Sequence, residues 1–286
     1  MTESRSIAST DSLVLGGGGP VGVAWTAALL NALITDGIPL TQTRLVLGTS
    51  AGSVAGAWLL MKPDGLQQLP HRMLARARHH ASNTAAGYGD KDLLRRVAAA
   101  SGHDLGTIRN IGQAAIAAIA PISTEQADAM WQTTLPDGPW PRQLRVTSVN
   151  TATGTATVWT PADGISLATA VACSTAAPGI APPVAVGDTI WMDGGVRSVT
   201  NADLVSQLGA TAPGRVLVVA PLPSDNLTRE RDTLVKQGYR VEIITAEPFY
   251  QTPADMLNPQ YIDIAAAAGA KQARGALEHL STWWNA

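Results

Sequence analysis

Two hydrophobic patterns alternate along the chain. Short apolar runs at 12–15 (SLVL) and 44–47 (RLVL) have the length and composition of buried strands. Each is followed by glycine and then by a stretch of helical length that is apolar on nearly every side, 21–34 after the first and 51–61 (AGSVAGAWLLM) after the second. A helix with so little polar surface is one that is covered by other elements. Pro20 stands at the start of the first helix, where a missing N–H does no harm, and Gly37 ends it.

From 62 to about 140 the strand pattern stops, and Ala, Arg, His and Gln dominate. The runs 71–80 (HRMLARARHH) and 90–100 (DKDLLRRVAAA) keep a helical period, which predicts a helical insertion over the main sheet. Strands resume at 143–159, turning at Thr153 and Gly154. A short helix is predicted over 166–175, and a second hairpin within 182–195 turns at Gly187 and Asp188. Strands at 215–221 and 240–246 flank a polar helix over 228–237, and a last helix starts at about 259. The alternation predicts an α/β fold with a largely parallel central sheet. The expected organisation is a single domain over 1–286, with the insertion as lid or wall.

Composition narrows the classes of function. Charged residues make up 15% of the chain and the formal net charge is −2, so the basic field of a nucleic-acid binder is missing. The one cysteine, Cys173, reads as a small buried apolar residue. The N-terminal MTESRSIASTDS lacks the apolar region of a signal peptide, and no apolar run is long enough to span a bilayer, so a soluble cytoplasmic protein is expected. The basic run at 71–80 reads as a solvated helix face and the apolar run 111–122 as a buried helix; peripheral contact with a membrane surface is the competing reading of the pair.

The chemistry concentrates at two glycine-rich turns. The second strand leads straight into GTSAGS, in which Gly48, Ser50 and Gly52 form G-x-S-x-G between a strand and a helix. That context thrusts Ser50 out at the tip of a sharp turn, at a helix N-terminus where negative charge is favoured. The first strand leads into Gly16, Gly17, Gly18 and Gly19. Such a run either cradles a phosphate or aims N–H groups at an oxyanion. Gly17, Gly19 and Gly22 do match G-x-G-x-x-G, but the acidic residue at the right offset, Asp36, lies at a helix end instead of a strand end, and the G-K-[ST] of a phosphate loop is absent. Acyl transfer is the better reading: if the two strands are neighbours, Gly17, Gly18 and Gly19 lie beside Ser50 and can bind the oxyanion of a tetrahedral intermediate.

A serine nucleophile needs a proton acceptor. His71, His79, His80 and His103 fall in the insertion, and His279 lies mid-helix in ALEHLSTWW. His279 would complete a Ser-His-Asp order and is kept as the rival base. The other candidate is Asp193, which ends a strand in WMDGG. Taken alone, that Asp-Gly pair is also what an ordinary turn looks like.

G-G-G-x-x-G after the first strand, G-x-S-x-G after a later one and D-G-G much further on, in that order, resemble the patatin-like phospholipase family. ACSTAAPGIAPPV (172–184) and DGGVRSVTNADLV (193–205) are similar to that family's segments on either side of its aspartate. The resemblance runs from Leu13 to Ala220 apart from the insertion. It implies a three-layer α/β sandwich, a lipid or other acyl-ester substrate, Ser50 as nucleophile, Asp193 as base, Gly17 to Gly19 as oxyanion hole, and neither metal nor organic cofactor. Burial under Trp191 and Met192 would raise the Asp193 pKa toward a useful range. Where the family usually has Arg or Lys, this chain has Val21. That departure leaves a catalytically weak lipid-binding protein of the same fold as an alternative.

Overall fold

The computed structural model describes residues 10–83, 93, 97, 104–209 and 212–285. Its centre is an eight-stranded sheet: β1 (Ser12–Leu15), β2 (Leu45–Thr49), β3 (Leu144–Asn150), β4 (Ala156–Trp159), β5 (Val184–Val186), β6 (Thr189–Asp193), β7 (Arg215–Ala220) and β8 (Arg240–Thr245). The hydrogen-bonded order is β5-β6-β3-β2-β1-β7-β8, with β4 paired to β3. Strands β3, β2, β1, β7 and β8 run parallel; β4, β5 and β6 are antiparallel additions at one end.

Side chains alternate across this sheet with period two, so each face has its own core. Leu13, Leu15, Val46, Leu217 and Val219 face one side. There they meet α1 (Gly19–Thr35), α2 (Ala51–Met61), α3 (Leu69–Asn83), α5 (Thr124–Gln132), α6 (Leu167–Ser174) and α8 (Ile262–Asn285). Val14, Leu45, Leu47, Val216 and Val218 face the other side, against α7 (Asp225–Lys236) and the 3-10 turn Ala202–Gln207. Helices on both faces explain why the central strands read as unbroken apolar runs.

The elements match the hydrophobic pattern, with shifts at the ends that have local causes. Helix α1 starts at Gly19 because Pro20 fits inside the first turn. Strand β2 runs on through Gly48 and Thr49, both buried. The last helix is preceded by 3-10 turns at Pro253–Leu257 and Pro259–Tyr261.

Within 62–140 the described regular structure is helical apart from one parallel bridge between Ile122 and Val184. The helical part comprises the 3-10 turn Pro63–Gln68, α3, α4 (Leu105–Ala118), capped by Asp104, and α5, capped by Ser123 through a capping box. The predicted helix at 90–100 lies outside the described residues except for Leu93 and Val97. Helix α4 packs Ile108 and Ile111 onto Val149, Met192 and Val196, so this part of the insertion is a wall against β3 and β6. The basic run is only partly solvated. Arg72 lies over the Trp58 ring at 5.1 Å and Arg76 over Trp131 at 4.0 Å, and burial lowers the Arg76 pKa to about 10. The apolar run at 111–122 begins inside α4 with buried Ile111 and Ala115. Among the described residues no helix is long and apolar enough to cross a membrane.

Candidate active site

Strand β3 assembles the site. Its residues Val146 and Thr147 pair with both β2 and β4, and its residues Ser148 and Val149 pair with both β4 and β6. A strand has two edges, so β2 and β6 share the edge opposite β4. The parallel β2 ends at Thr49, paired with Thr147; the antiparallel β6 ends at Asp193, paired with the next residue, Ser148. Two strands therefore run head-on along one edge, and the residues at their tips meet. Ser50 Oγ donates a hydrogen bond of 2.7 Å to Asp193 Oδ2.

The turn at Ser50 is as tight as its glycines imply. A Cβ on Gly52 would lie 1.9 Å from the Leu15 carbonyl oxygen, and one on Gly48 would lie 2.5 Å from Ser53 Cα. Ser50 itself has φ 51 and ψ −116, a conformation that costs a non-glycine residue of order 1–3 kcal/mol. Three contacts hold it there. The Ser50 N–H donates to Ser174 Oγ at 2.8 Å, while the Ser50 carbonyl accepts from the Ser53 hydroxyl at 2.6 Å and from the Ser53 N–H at 2.9 Å.

Asp193 is 6% exposed. Burial raises its pKa to about 6, against the downward pull of hydrogen bonds from the Gly195 N–H and the Ser50 hydroxyl. The D-G-G sequence has a job at each position. Asp193 Oδ1 accepts from the Gly195 N–H at 2.7 Å, and Gly194 lies so close to Thr147 that a Cβ would fall 2.5 Å from Thr147 Oγ1. The expectation that burial lifts this carboxyl is met, with Trp191 and Met192 buried just before it on β6.

The glycine turn lies beside Ser50, because β1 and β2 are parallel neighbours with Leu15 paired to Gly48. A Cβ on Gly17 would sit 3.3 Å from Ser50 Cβ. The Gly17 N–H, however, already donates to the Val199 carbonyl at 2.8 Å. The N–H groups of Gly18 and Gly19 make no hydrogen bond among the described residues, and Gly19 is partly exposed at the N-terminus of α1. Gly17 thus serves as an anchor of the turn, and the open donors are its two successors.

His279 lies elsewhere. It sits on α8, 63% exposed at its side chain, with Nε2 3.1 Å from Glu242 Oε1 on β8, three strands along from β2. Among the other histidines, His71 is exposed on α3, and His103 lies outside the described residues. Asp36, the acid a dinucleotide site would use, caps the far end of α1 and is exposed. Val21 is fully buried in the apolar core. The glycine turn is braced instead by Val199 and by Met256, whose carbonyl oxygen would lie 2.7 Å from a Cβ on Gly19. Cys173 is buried, which pushes its thiol up to about 12 and makes it inert. Among the described residues no group of three or more His, Cys, Asp and Glu is clustered as metal ligands would be.

Sequence reasoning passed over Ser174, Val199, Asn201 and Met256. Ser174 lies in the 172–184 segment and Val199 and Asn201 in the 193–205 segment, but of these only Ser174 acts through its hydroxyl. The others act through backbone carbonyls or an amide, which no residue type advertises.

A hydroxyl and a buried carboxyl in hydrogen-bond contact thus stand at the carboxyl edge of a parallel sheet, beside a glycine turn. A family model of patatin-like phospholipase matches residues 13–206, more than half of the chain, and the chain belongs to that family. Among solved structures it is similar to VipD from Legionella pneumophila, at 14% identity and a TM-score of 0.49, over 98% of this chain and 72% of that one. It is also similar to the ExoU–SpcU complex of the Pseudomonas aeruginosa type III secretion system, at 19% identity and a TM-score of 0.44, over 98% of this chain and 52% of that one. No curated protein matches the chain.

Proposed function

We propose that the protein hydrolyses ester bonds of lipids through Ser50 and Asp193. Family membership supports lipid acyl hydrolase activity. The observation that carries the assignment of residues is the 2.7 Å hydrogen bond from Ser50 Oγ to Asp193 Oδ2 at the meeting point of β2 and β6.

In this reading Asp193 takes the hydroxyl proton as Ser50 Oγ attacks the ester carbonyl. The carbonyl oxygen becomes an oxyanion, received by the Gly18 and Gly19 N–H groups, with Gly17 fixing the turn through Val199. Collapse of the tetrahedral species breaks the ester C–O bond, and the leaving alkoxide takes the proton from Asp193. A water then attacks the acyl-enzyme, giving its proton to Asp193. The second collapse frees the carboxylic acid and returns the proton to Ser50 Oγ. The scheme calls on neither metal nor organic cofactor. A carboxyl with a pKa of about 6 is ionised at neutral pH and still basic enough to be useful, which favours a dyad without histidine.

The rival base, His279, is disfavoured by its exposure and by its pairing with Glu242. The reading as a lipid binder without catalysis rests on Val21, but the turn that a basic residue would brace is held by Val199 and Met256.

Ser50→Ala is the test. It should abolish hydrolysis of a p-nitrophenyl ester and labelling by a fluorophosphonate, in a protein with an unchanged circular dichroism spectrum. Retained hydrolysis in the folded variant would overturn the assignment.

A further inference from the structure

The stretch from Ser198 to Ala202 touches every part of the site. The Val199 carbonyl holds the Gly17 N–H at 2.8 Å, and Thr200 Cγ2 would lie 3.2 Å from a Cβ on Gly16. The Thr200 carbonyl accepts from the Thr49 hydroxyl at 3.3 Å, immediately before Ser50. The Asn201 side-chain amide donates to Thr49 Oγ1 at 3.2 Å and to the Gly194 carbonyl at 3.1 Å, immediately after Asp193. Asn201 is oriented for this by Arg197, which donates to Asn201 Oδ1 at 2.8 Å and is itself paired with Asp203. Its backbone is left-handed, φ 52 and ψ 31; among the described residues Ser50 is the only other non-glycine with positive φ.

A backbone held in so uncommon a conformation needs something to hold it. That group comes from α7, on the face of the sheet that carries neither α1 nor α2. Glu230 is 2% exposed. Its Oε2 accepts from the Thr200 hydroxyl and, at 2.9 Å, from the Ala202 N–H, bracketing Asn201 on both sides. Its Oε1 has no hydrogen-bond partner of standard geometry among the described residues. An acid this deeply buried is an expensive thing to keep unless it is hydrogen-bonded to a purpose.

We propose that Glu230 is a positioning residue for the site, fixing the 198–202 segment and through it the glycine turn, the strand end before Ser50 and the turn after Asp193. The inference rests on the Ser50–Asp193 reading. Glu230 touches no reacting group. It acts by its hydrogen bonds, and one oxygen accepts the two that bracket Asn201. A glutamine carbonyl can accept the same two, so the charge is dispensable and the bonds are not.

The test compares Glu230→Ala and Glu230→Gln with the wild-type protein, using p-nitrophenyl ester hydrolysis and the rate of fluorophosphonate labelling. Displacement of catalytic groups by up to about 1 Å costs on the order of 10- to 100-fold in rate. Glu230→Ala should lose that much in kcat, with KM within about twofold and labelling slowed in parallel, as expected when only transition-state geometry suffers. Glu230→Gln should restore kcat to within about threefold of wild type, a small loss on the same scale of rate effects. Wild-type kcat in Glu230→Ala overturns the inference, and so does a Glu230→Gln as impaired as the alanine variant. If Glu230→Ala does not fold, Thr200→Val decides: it removes the donor at constant shape, and a wild-type kcat there is equally fatal. Ser50→Ala measured alongside separates the two claims. Unimpaired Glu230 variants with Ser50 still essential overturn this inference alone.

Discussion

The amide of Ser50 donates its hydrogen bond to the side chain of Ser174, 2.8 Å away at the C-terminal end of α6. Two residues on, the Ala176 carbonyl accepts the Asp193 N–H at 3.0 Å. One short segment thus grips the backbone of both Ser50 and Asp193. Ser174→Ala leaves the Ser50 N–H without its acceptor at a strained turn. The expected result is a kcat lower by about 10- to 100-fold with little change in KM, since misplacement of this kind acts on the transition state. Steady-state kinetics on a p-nitrophenyl ester check it; an unchanged kcat would show that the strain at Ser50 is held without Ser174.

The two turns at Ser50 and Asp193 were legible because their patterns are local. G-x-S-x-G between a strand and a helix states where a serine must stand out, and D-G-G after an apolar strand states where an acid can end it. Their meeting was not legible. It depends on β2 and β6 both pairing with one edge of β3, which brings together residues 143 positions apart, and no local pattern encodes strand order. Arg72 and Arg76 looked solvated because the rings they cover, Trp58 and Trp131, belong to other helices. Glu230 looked like surface for the same reason. In DNLTRERDTLVK it is one charge among many, and its burial and its contacts to the turn at 198–202 depend on tertiary packing. The glycine run announced an unusual turn but not which N–H groups remain open, because Val199 takes one of them.

Asp193→Asn and His279→Ala separate the two proton acceptors. Asn keeps the shape of Asp193 but cannot take the Ser50 proton, so the rate should fall by several orders of magnitude, as loss of a member of a nucleophile–base unit does. His279→Ala breaks only a surface pair with Glu242 and should leave the rate unchanged. Equal damage from both, in folded proteins, would return the triad to favour.

The pH profile has a sign. The proposed mechanism needs Asp193 ionised, and burial raises its pKa to about 6. The rate on an uncharged ester should therefore rise through about pH 6 and level off above it, with no further step from His279. An acid limb near pH 4, the ordinary range of an aspartate, would contradict the burial argument.

The same shift makes Asp193 a liability for stability. A carboxyl whose folded-state pKa lies above its unfolded value holds protons more tightly when folded. Stability from this group is therefore greatest below the unfolded value, near 4, and is lost as pH rises to about 6. Above that it costs of order 3 kcal/mol, taking 1.36 kcal/mol per pKa unit over a rise of about two units. Asp193→Asn should be inactive and yet more stable than wild type at pH 8, with the gain vanishing by pH 4. Urea unfolding at the two pH values measures it. A variant less stable than wild type at pH 8 would mean that the hydrogen bonds from Ser50 and Gly195 outweigh the desolvation of the charge.

The two ends of α1 offer the cleanest comparison for the glycine turn. Gly19 opens the helix with φ 59, and Gly37 follows its end with φ 94, so an alanine at either position is strained by about 1–2 kcal/mol. Their surroundings differ. A Cβ on Gly37 meets nothing within 4 Å, whereas one on Gly19 would lie 2.7 Å from the Met256 carbonyl oxygen and 3.0 Å from Leu257 Cδ2. Gly37→Ala should lower the unfolding free energy by about that strain and leave kcat alone. Gly19→Ala should displace the turn, and with it the Gly18 and Gly19 N–H groups proposed to receive the oxyanion. Loss of one such donor costs about 10²–10³ in kcat. Side-by-side urea melts and ester kinetics decide the matter. A Gly19→Ala variant that loses stability but keeps its kcat would remove the glycine turn from the mechanism and require the oxyanion to be held elsewhere.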